Sequence, residues 1–321
     1  MTKLKLLIKV TFVVALLWIL AQKGFLSLSE TRLAFARLDL ILPAIGLLLV
    51  TTLLGVSRWK LLLHAQGIEL NWLRTLQLTM VGNFFNIALP GAVSGDFVKA
   101  WYIGREIPGK RARAFGSILF DRVSGLSALV LVSATAFVFG VETYPTLRIF
   151  MFIAGVAVIG FYAYLFLVRE NADPVLRALK NAEARYPKAG SFVRVYEGLR
   201  HYHNHRGTVL KVLALSIAVH LMVGLACRNF AYALGDHQLP LLAIYVVVPM
   251  GLLVTAIPIL PAGVGTGHAA FLFLFKLLDS DQGANIFTLY ALIMITLGCI
   301  GGLFYLQFRT HEPKPDLEAI G

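Results

Sequence analysis

Two apolar stretches that each turn at a Leu-Pro step limit what this chain can fold into. The first turn reads Asn-Ile-Ala-Leu-Pro-Gly-Ala-Val-Ser-Gly-Asp, from Asn86 to Asp96, and the second reads Ile-Leu-Pro-Ala-Gly-Val-Gly-Thr-Gly-His, from Ile259 to His268. The arms on either side fall short of the roughly 20 residues that cross about 30 Å of hydrocarbon. Broken backbone at membrane depth is tolerated only where protein buries it or where it lines a wet cavity. Paired interruptions in two halves of a membrane protein point to a binding site between them.

The rest of the chain supports a membrane setting. Of its 321 residues, 58% are hydrophobic and 14% charged, and mean hydropathy is +0.76. The expected fold is an all-α polytopic membrane protein, a single integral membrane domain over residues 1–321. Full spans are expected at about 4–22, 40–57, 114–140, 148–168, 209–234 and 285–308, with hairpins at about 73–105 and 241–278. Lys3, Lys5 and Lys9 precede the first apolar run, and no small-x-small cleavage site follows it, so it reads as a retained signal anchor. Cys227 and Cys299 both lie in apolar runs and make no disulfide framework.

The net charge of +12 falls between the apolar runs, which argues for membrane-surface contacts and against nucleic acid as the partner. Basic short loops place both termini, the 169–208 loop and the tail 309–321 in the cytoplasm. Arg58, Trp59 and Lys60 read as an inner interface closing the second span. On this assignment the two hairpins enter from opposite faces. Their turns also look alike: Leu89-Pro90-Gly91 with Gly95, against Leu260-Pro261-Ala262-Gly263 with Gly265. That fits an inverted pair, and it also fits a coincidence of residues common in membrane helices. Charge alone leaves open whether the hairpins are re-entrant or span fully.

Several polar residues lie where hydrocarbon makes them costly. The first hairpin carries Asn83, Asn86, Ser94, Asp96 and Lys99. Pro90 withholds an amide donor and helps end a helix; Ser94 is placed to cap the next one, whose free amides suit a phosphate or carboxylate. Asp96 either satisfies those amides or meets a headgroup amine or a proton. Asp121 and Arg122 sit seven to eight residues into the third span, and adjacent helical residues point about 100° apart, so each needs another partner. Asp96 with Arg122 and Asp121 with Lys99 are the expected pairs, serving either a headgroup or the packing of hairpin on bundle. Arg111 and Arg113, beside Lys110, read either as exposed interface residues or as inner-leaflet phosphate contacts. His268 follows the second turn, as a neutral buried group or as a ligand contact. Arg228 can snorkel from the outer end of its span. His201 and His205 would share a helical face, but no carboxylate or cysteine joins them to suggest a metal.

No Gly-x-x-x-x-Gly-Lys-Ser/Thr loop, Gly-x-Ser-x-Gly elbow or His-Glu-x-x-His helix occurs. No long outer loop carries paired acids. Nothing in the sequence asks for a cofactor or a metal.

The pattern Asn83, Asn86, Pro90, Ser94-Gly95-Asp96, Lys99, then Asp121-Arg122, then Pro258, Pro261, Ala262-Gly263, Gly265 and His268, resembles the flippase-like transmembrane region of lysylphosphatidylglycerol synthases. The resemblance covers nearly the whole chain. Ser94 stands where that family usually has Gly, Lys99 where it has Arg, and His268 where it has Glu. The sequence ends at Gly321, without the aminoacyl-transferase domain of the full synthases, so the chain is not expected to make lysylphosphatidylglycerol by itself. The resemblance implies movement or binding of a lipid or lipid-linked headgroup, anionic or amine-bearing, at Asn83, Asn86, Ser94, Asp96, Lys99, Asp121, Arg122 and His268, with Pro90, Gly91, Gly95, Pro258, Pro261, Gly263 and Gly265 shaping the turns. The alternative is a non-transporting inner-membrane subunit that presents lipid to a partner enzyme through its basic loop.

Overall fold

The computed structural model describes residues 28–88, 94–139, 145–169, 172–186, 190–256 and 263–310. The expected span at 4–22, the turn residues Pro90, Gly91, Pro258 and Pro261, and the tail from 311 lie outside the described residues. Helix accounts for nearly all of what is described, and among those residues there is no strand.

Five helices are long and apolar enough to cross a membrane. They are α2 (Leu38–Ala65), α5 (Arg111–Val138), α6 (Pro145–Leu167), α9 (Arg206–Ala233) and α12 (Gly283–Thr310). They correspond to the five expected spans that fall within the described residues. A helix of 28 residues is about 42 Å long at 1.5 Å per residue, so its ends reach beyond the hydrocarbon. Large apolar side chains face outward along these helices, among them Leu49, Phe150, Phe152, Ile153, Ile159 and Leu303. Lipid tails accept such a surface, whereas water would drive it to aggregate. A short helix, α1 (Leu28–Ala36), leads into α2.

The two hairpins are present as pairs of shorter helices. The first joins α3 (Trp72–Ala88) to α4 (Ser94–Glu106), and the second joins α10 (Leu241–Thr255) to α11 (Thr266–Lys276). Their lengths correspond to about 16–26 Å, less than the hydrocarbon thickness. In the first hairpin α3 packs on α12 and α4 on α5; in the second α10 packs on α5 and α11 on α12. The two hairpins thus share α5 and α12 as supports, in reversed order, which is what a two-fold relation between the halves predicts.

The segment read as a polar loop, 169–206, folds into a helical layer instead. It forms α7 (Pro174–Arg185), α8 (Gly190–Arg200) and a 3-10 turn at His201–Asn204. Asp173 caps α7 by accepting the Val175 and Leu176 amides at 2.9 and 3.0 Å. Its other oxygen meets Arg200 Nε at 2.8 Å, and the Tyr164 and Tyr196 hydroxyls donate to the same carboxylate. Arg200 in turn donates to the Leu165 carbonyl at 3.1 Å and to the Val168 carbonyl, closing the C-terminal end of α6. One buried ion pair therefore ties the end of a spanning helix to the start of the layer. The charge of this segment hid its apolar positions, Leu176 and Val193, which are buried. The layer rests on α5, where Gly116 and Gly198 bring two backbones together without an intervening side chain.

Candidate functional site

The first hairpin closes on itself through glycine. A Cβ on Gly95 would stand 1.8 Å from the Gly82 carbonyl oxygen, so only glycine lets α4 lie this close to α3. The Gly95 amide donates to Asn86 Oδ1 at 2.8 Å, and the Ser94 hydroxyl donates to the Phe85 carbonyl at 3.0 Å. Asn86 thus satisfies a first-turn amide that the sequence assigned to Ser94, while Ser94 ties the two arms together.

Asp96, in the same first turn of α4, is 2% exposed. Its Oδ1 lies 2.9 Å from Lys99 Nζ and its Oδ2 2.7 Å from Arg122 Nε. The expected Asp96–Arg122 pair is present. The expected Asp121–Lys99 pair is not: Lys99 is three residues from Asp96 on the same helix and takes that nearer carboxylate. Lys99 also stands 4.8 Å from the ring of Trp59, a cation held on an aromatic face. Asp121 is instead gripped by Arg58, with Nε to Oδ1 at 2.7 Å and Nη2 to Oδ2 at 2.9 Å. Arg58 Nη1 reaches Ser216 at 3.0 Å on α9.

Arg58 and Trp59 therefore do not mark an interface as expected. Helix α2 continues to Ala65, which places them inside the bundle, where Trp59 is 1% exposed and donates from Nε1 to Ser117. Arg58 is the site residue that sequence reasoning missed. The available signal was the unmet need of Asp121 for a cation. His220, on α9, was also missed; its Nε2 lies 3.1 Å from the Gly125 carbonyl, and its Nδ1 has no partner among the described residues.

These groups face one cavity of about 580 Å³. Asn83, Asn86, Asp96, Lys99, Asp121 and Arg122 line it, joined by Arg58, Thr51, Thr79, His220 and Tyr290. Apolar residues complete the lining, Leu48, Leu129, Val223 and Leu252 among them. Three cations meet two carboxylates there, leaving one positive charge in excess. Asp121 is ten residues into α5, about 15 Å from its start, well within the span.

Other expected site residues lie elsewhere. His268 is 1% exposed and is not among the lining residues of this cavity. Its Nδ1 accepts the Gly265 amide at 3.2 Å, Nε2 is 3.1 Å from Thr288 Oγ1, and its ring meets Phe287 edge-on. It fastens the start of α11 to α12, where Gly263 and Gly265 take φ of +67° and +89° that other residues rarely adopt. Arg111 lays its stem against Gly104, and Arg113 faces the helical layer. Arg228 turns to Tyr232, with the hydroxyl 2.7 Å from Nη2. His201 and His205 lie with ring centroids 5.0 Å apart, and among the described residues no three potential ligands gather to hold a metal.

Helices of spanning length around a charged internal cavity define a polytopic membrane protein. The chain belongs to the family described as the lysylphosphatidylglycerol synthase TM region, whose model matches residues 6–302. It is similar to a UPF0104 membrane protein of Methanothermobacter thermautotrophicus, 26% identical over 275 residues, which is 78% of this chain and 75% of that protein. It is also similar to a UPF0104 membrane protein of Pyrococcus horikoshii, 26% identical over 160 residues; that match spans 49% of this chain and 45% of the relative. No solved structure matches the chain significantly.

Proposed function

We propose that this protein carries the headgroup of an anionic lipid, or of a lipid-linked phosphate, through the cavity while the tails stay in the bilayer. It acts as a single integral membrane unit of the cell's inner membrane, with both termini and the α7–α8 layer cytoplasmic. The observation that carries this reading is the buried carboxylate of Asp96, shared by Lys99 and Arg122 at the cavity wall. Charges at membrane depth are costly, and a cluster with surplus positive charge around a cavity is most simply explained by a charged ligand. A lipid phosphate would compete with Asp96 for Lys99 and Arg122, so that the carboxylate releases its cations to the headgroup and reclaims them afterwards. Asn83 and Asn86 offer neutral donors on the same wall. The hairpins, supported on shared helices, are the elements that would open toward each leaflet.

The test is translocation of fluorescent phospholipids with anionic, amine-bearing and neutral headgroups in proteoliposomes, read by quenching the outer leaflet. The intact protein is expected to expose protected anionic lipid, and Asp96→Asn to abolish that movement while inserting normally. Undiminished transport by Asp96→Asn would remove this role from the residue. Absence of movement with every headgroup would favour a subunit that presents lipid to a partner enzyme.

A further inference from the structure

The polar groups around the cavity between the spanning helices divide into those already engaged and those left open. Thr51 and Thr79 donate to carbonyls of their own helices at 2.7 and 2.8 Å, and Asn86 accepts the Gly95 amide. The carboxylates of Asp96 and Asp121 are held by Lys99, Arg122 and Arg58. Tyr290 on α12 and Asn83 on α3 line the same cavity and are partly exposed. Among the described residues, neither the Tyr290 hydroxyl nor the Asn83 side-chain amide has a hydrogen-bond partner. Neither group is sealed off, so a bound molecule can reach both. The Tyr290 ring is seated beside Phe287, with 6.1 Å between centroids.

Polar side chains at membrane depth ask for partners. A tyrosine hydroxyl donates and accepts, and a carboxamide offers two donors and an acceptor. An ionised phosphate only accepts, so it leaves Asn83 Oδ1 unanswered. An amine-bearing zwitterion has no net charge and leaves the cavity's surplus positive charge uncompensated. An anionic headgroup that carries hydroxyls answers the charge and the neutral groups together. We propose that Tyr290 and Asn83 bind the hydroxyls of a polyol or sugar phosphate headgroup, whose phosphate lies with Lys99 and Arg122. This inference rests on reading the cavity as the site of an anionic headgroup, and it narrows that headgroup to one class. The volume of about 580 Å³ lies in the range of small-molecule sites and leaves room beyond a phosphate.

The experiment offers the full chain, in detergent, equimolar mixtures of three lipids with matched tails. They are phosphatidylinositol, phosphatidylmethanol (an anionic phosphodiester without a hydroxyl) and phosphatidylethanolamine. Lipid retained by the protein is counted by native mass spectrometry. The intact protein is expected to prefer phosphatidylinositol, then phosphatidylmethanol, then phosphatidylethanolamine. In N83A/Y290F the preference for phosphatidylinositol over phosphatidylmethanol should fall by about two- to tenfold for each hydrogen bond lost. A merely structural role would lower both anionic lipids alike and leave their ratio unmoved. Y290F keeps the ring beside Phe287, and N83A removes a side chain that makes no hydrogen bond among the described residues, so the melting temperature is expected to hold. Equal retention of the two anionic lipids by the intact protein, or a preference that survives N83A/Y290F, overturns this inference and leaves the anionic reading standing. Retention of phosphatidylethanolamine as readily as either anionic lipid overturns the anionic reading and this inference with it.

Discussion

Asp96 and Asp121 solve the same problem differently. Asp121 is satisfied by one guanidinium in a bidentate fork, a geometry only arginine offers. Asp96 divides itself between two cations from two helices. The first arrangement is a brace and the second a junction. Removing one partner of this partly buried brace costs a sizeable part of the about 3–5 kcal/mol lost from a fully buried pair, because the other charge is left uncompensated. Asp121→Asn is therefore expected to lower the melting temperature in detergent sharply. The double change Arg58→Met with Asp121→Leu should recover most of that loss, since it leaves no charge behind. The sequence made plain that Asp121 and Arg122 could not pair with each other, because neighbours on a helix diverge. It did not reveal which cation each would find. Lys99 lies one turn from Asp96, so proximity along α4 decided that pair, while Arg58 was concealed by its resemblance to an interfacial anchor.

Among the elements, the α3–α4 hairpin depends on two backbones touching at Gly82 and Gly95. Gly95→Ala places a methyl group inside the Gly82 carbonyl, and the neighbour is backbone that cannot swing away. The expected cost is about 1–3 kcal/mol as strain and displaced helices, read as a lower melting temperature and loss of lipid movement. The α7–α8 layer depends on Asp173. Burial alone would raise its pKa, but the Leu176 amide, the Tyr164 and Tyr196 hydroxyls and Arg200 outweigh this and hold the carboxyl below its ordinary value. The folded layer consequently binds fewer protons than the unfolded one. Its stability from this group is complete above the unfolded carboxyl range near pH 4 and declines as pH falls through the lower folded value. Limited proteolysis should find the 169–206 segment resistant at neutral pH and cut progressively faster on acidification. Asp173→Ala should make it labile already at neutral pH. The hairpins were legible because Leu-Pro and Gly steps interrupt apolar runs. The layer was equally signposted by Asp173-Pro174, a cap followed by a first-turn proline, but eight cations in 169–206 drew the reading toward a solvated loop.

Across the whole molecule, apolar length located the five described spans within a few residues at most boundaries, because hydrocarbon thickness leaves little choice. Lys and Arg asymmetry supplied an orientation that predicts labelling from the two sides. With Cys227 and Cys299 replaced by Ala, a cysteine at Tyr186 should react with a membrane-impermeant maleimide only in inside-out vesicles. A cysteine at Asp279, an exposed turn residue at the end of the second hairpin, should react only in right-side-out ones. Labelling of both from one side would require a different path through the membrane. What no local pattern could disclose was the order of packing, which is set by contacts between segments far apart in the sequence. That order has a mechanical consequence. Each of these two struts is gripped by one arm of either hairpin, like two planks crossed under a common pair of beams. Tilting a beam beneath one hairpin shifts the seat of the other in the same stroke, so the two hairpins are geared together.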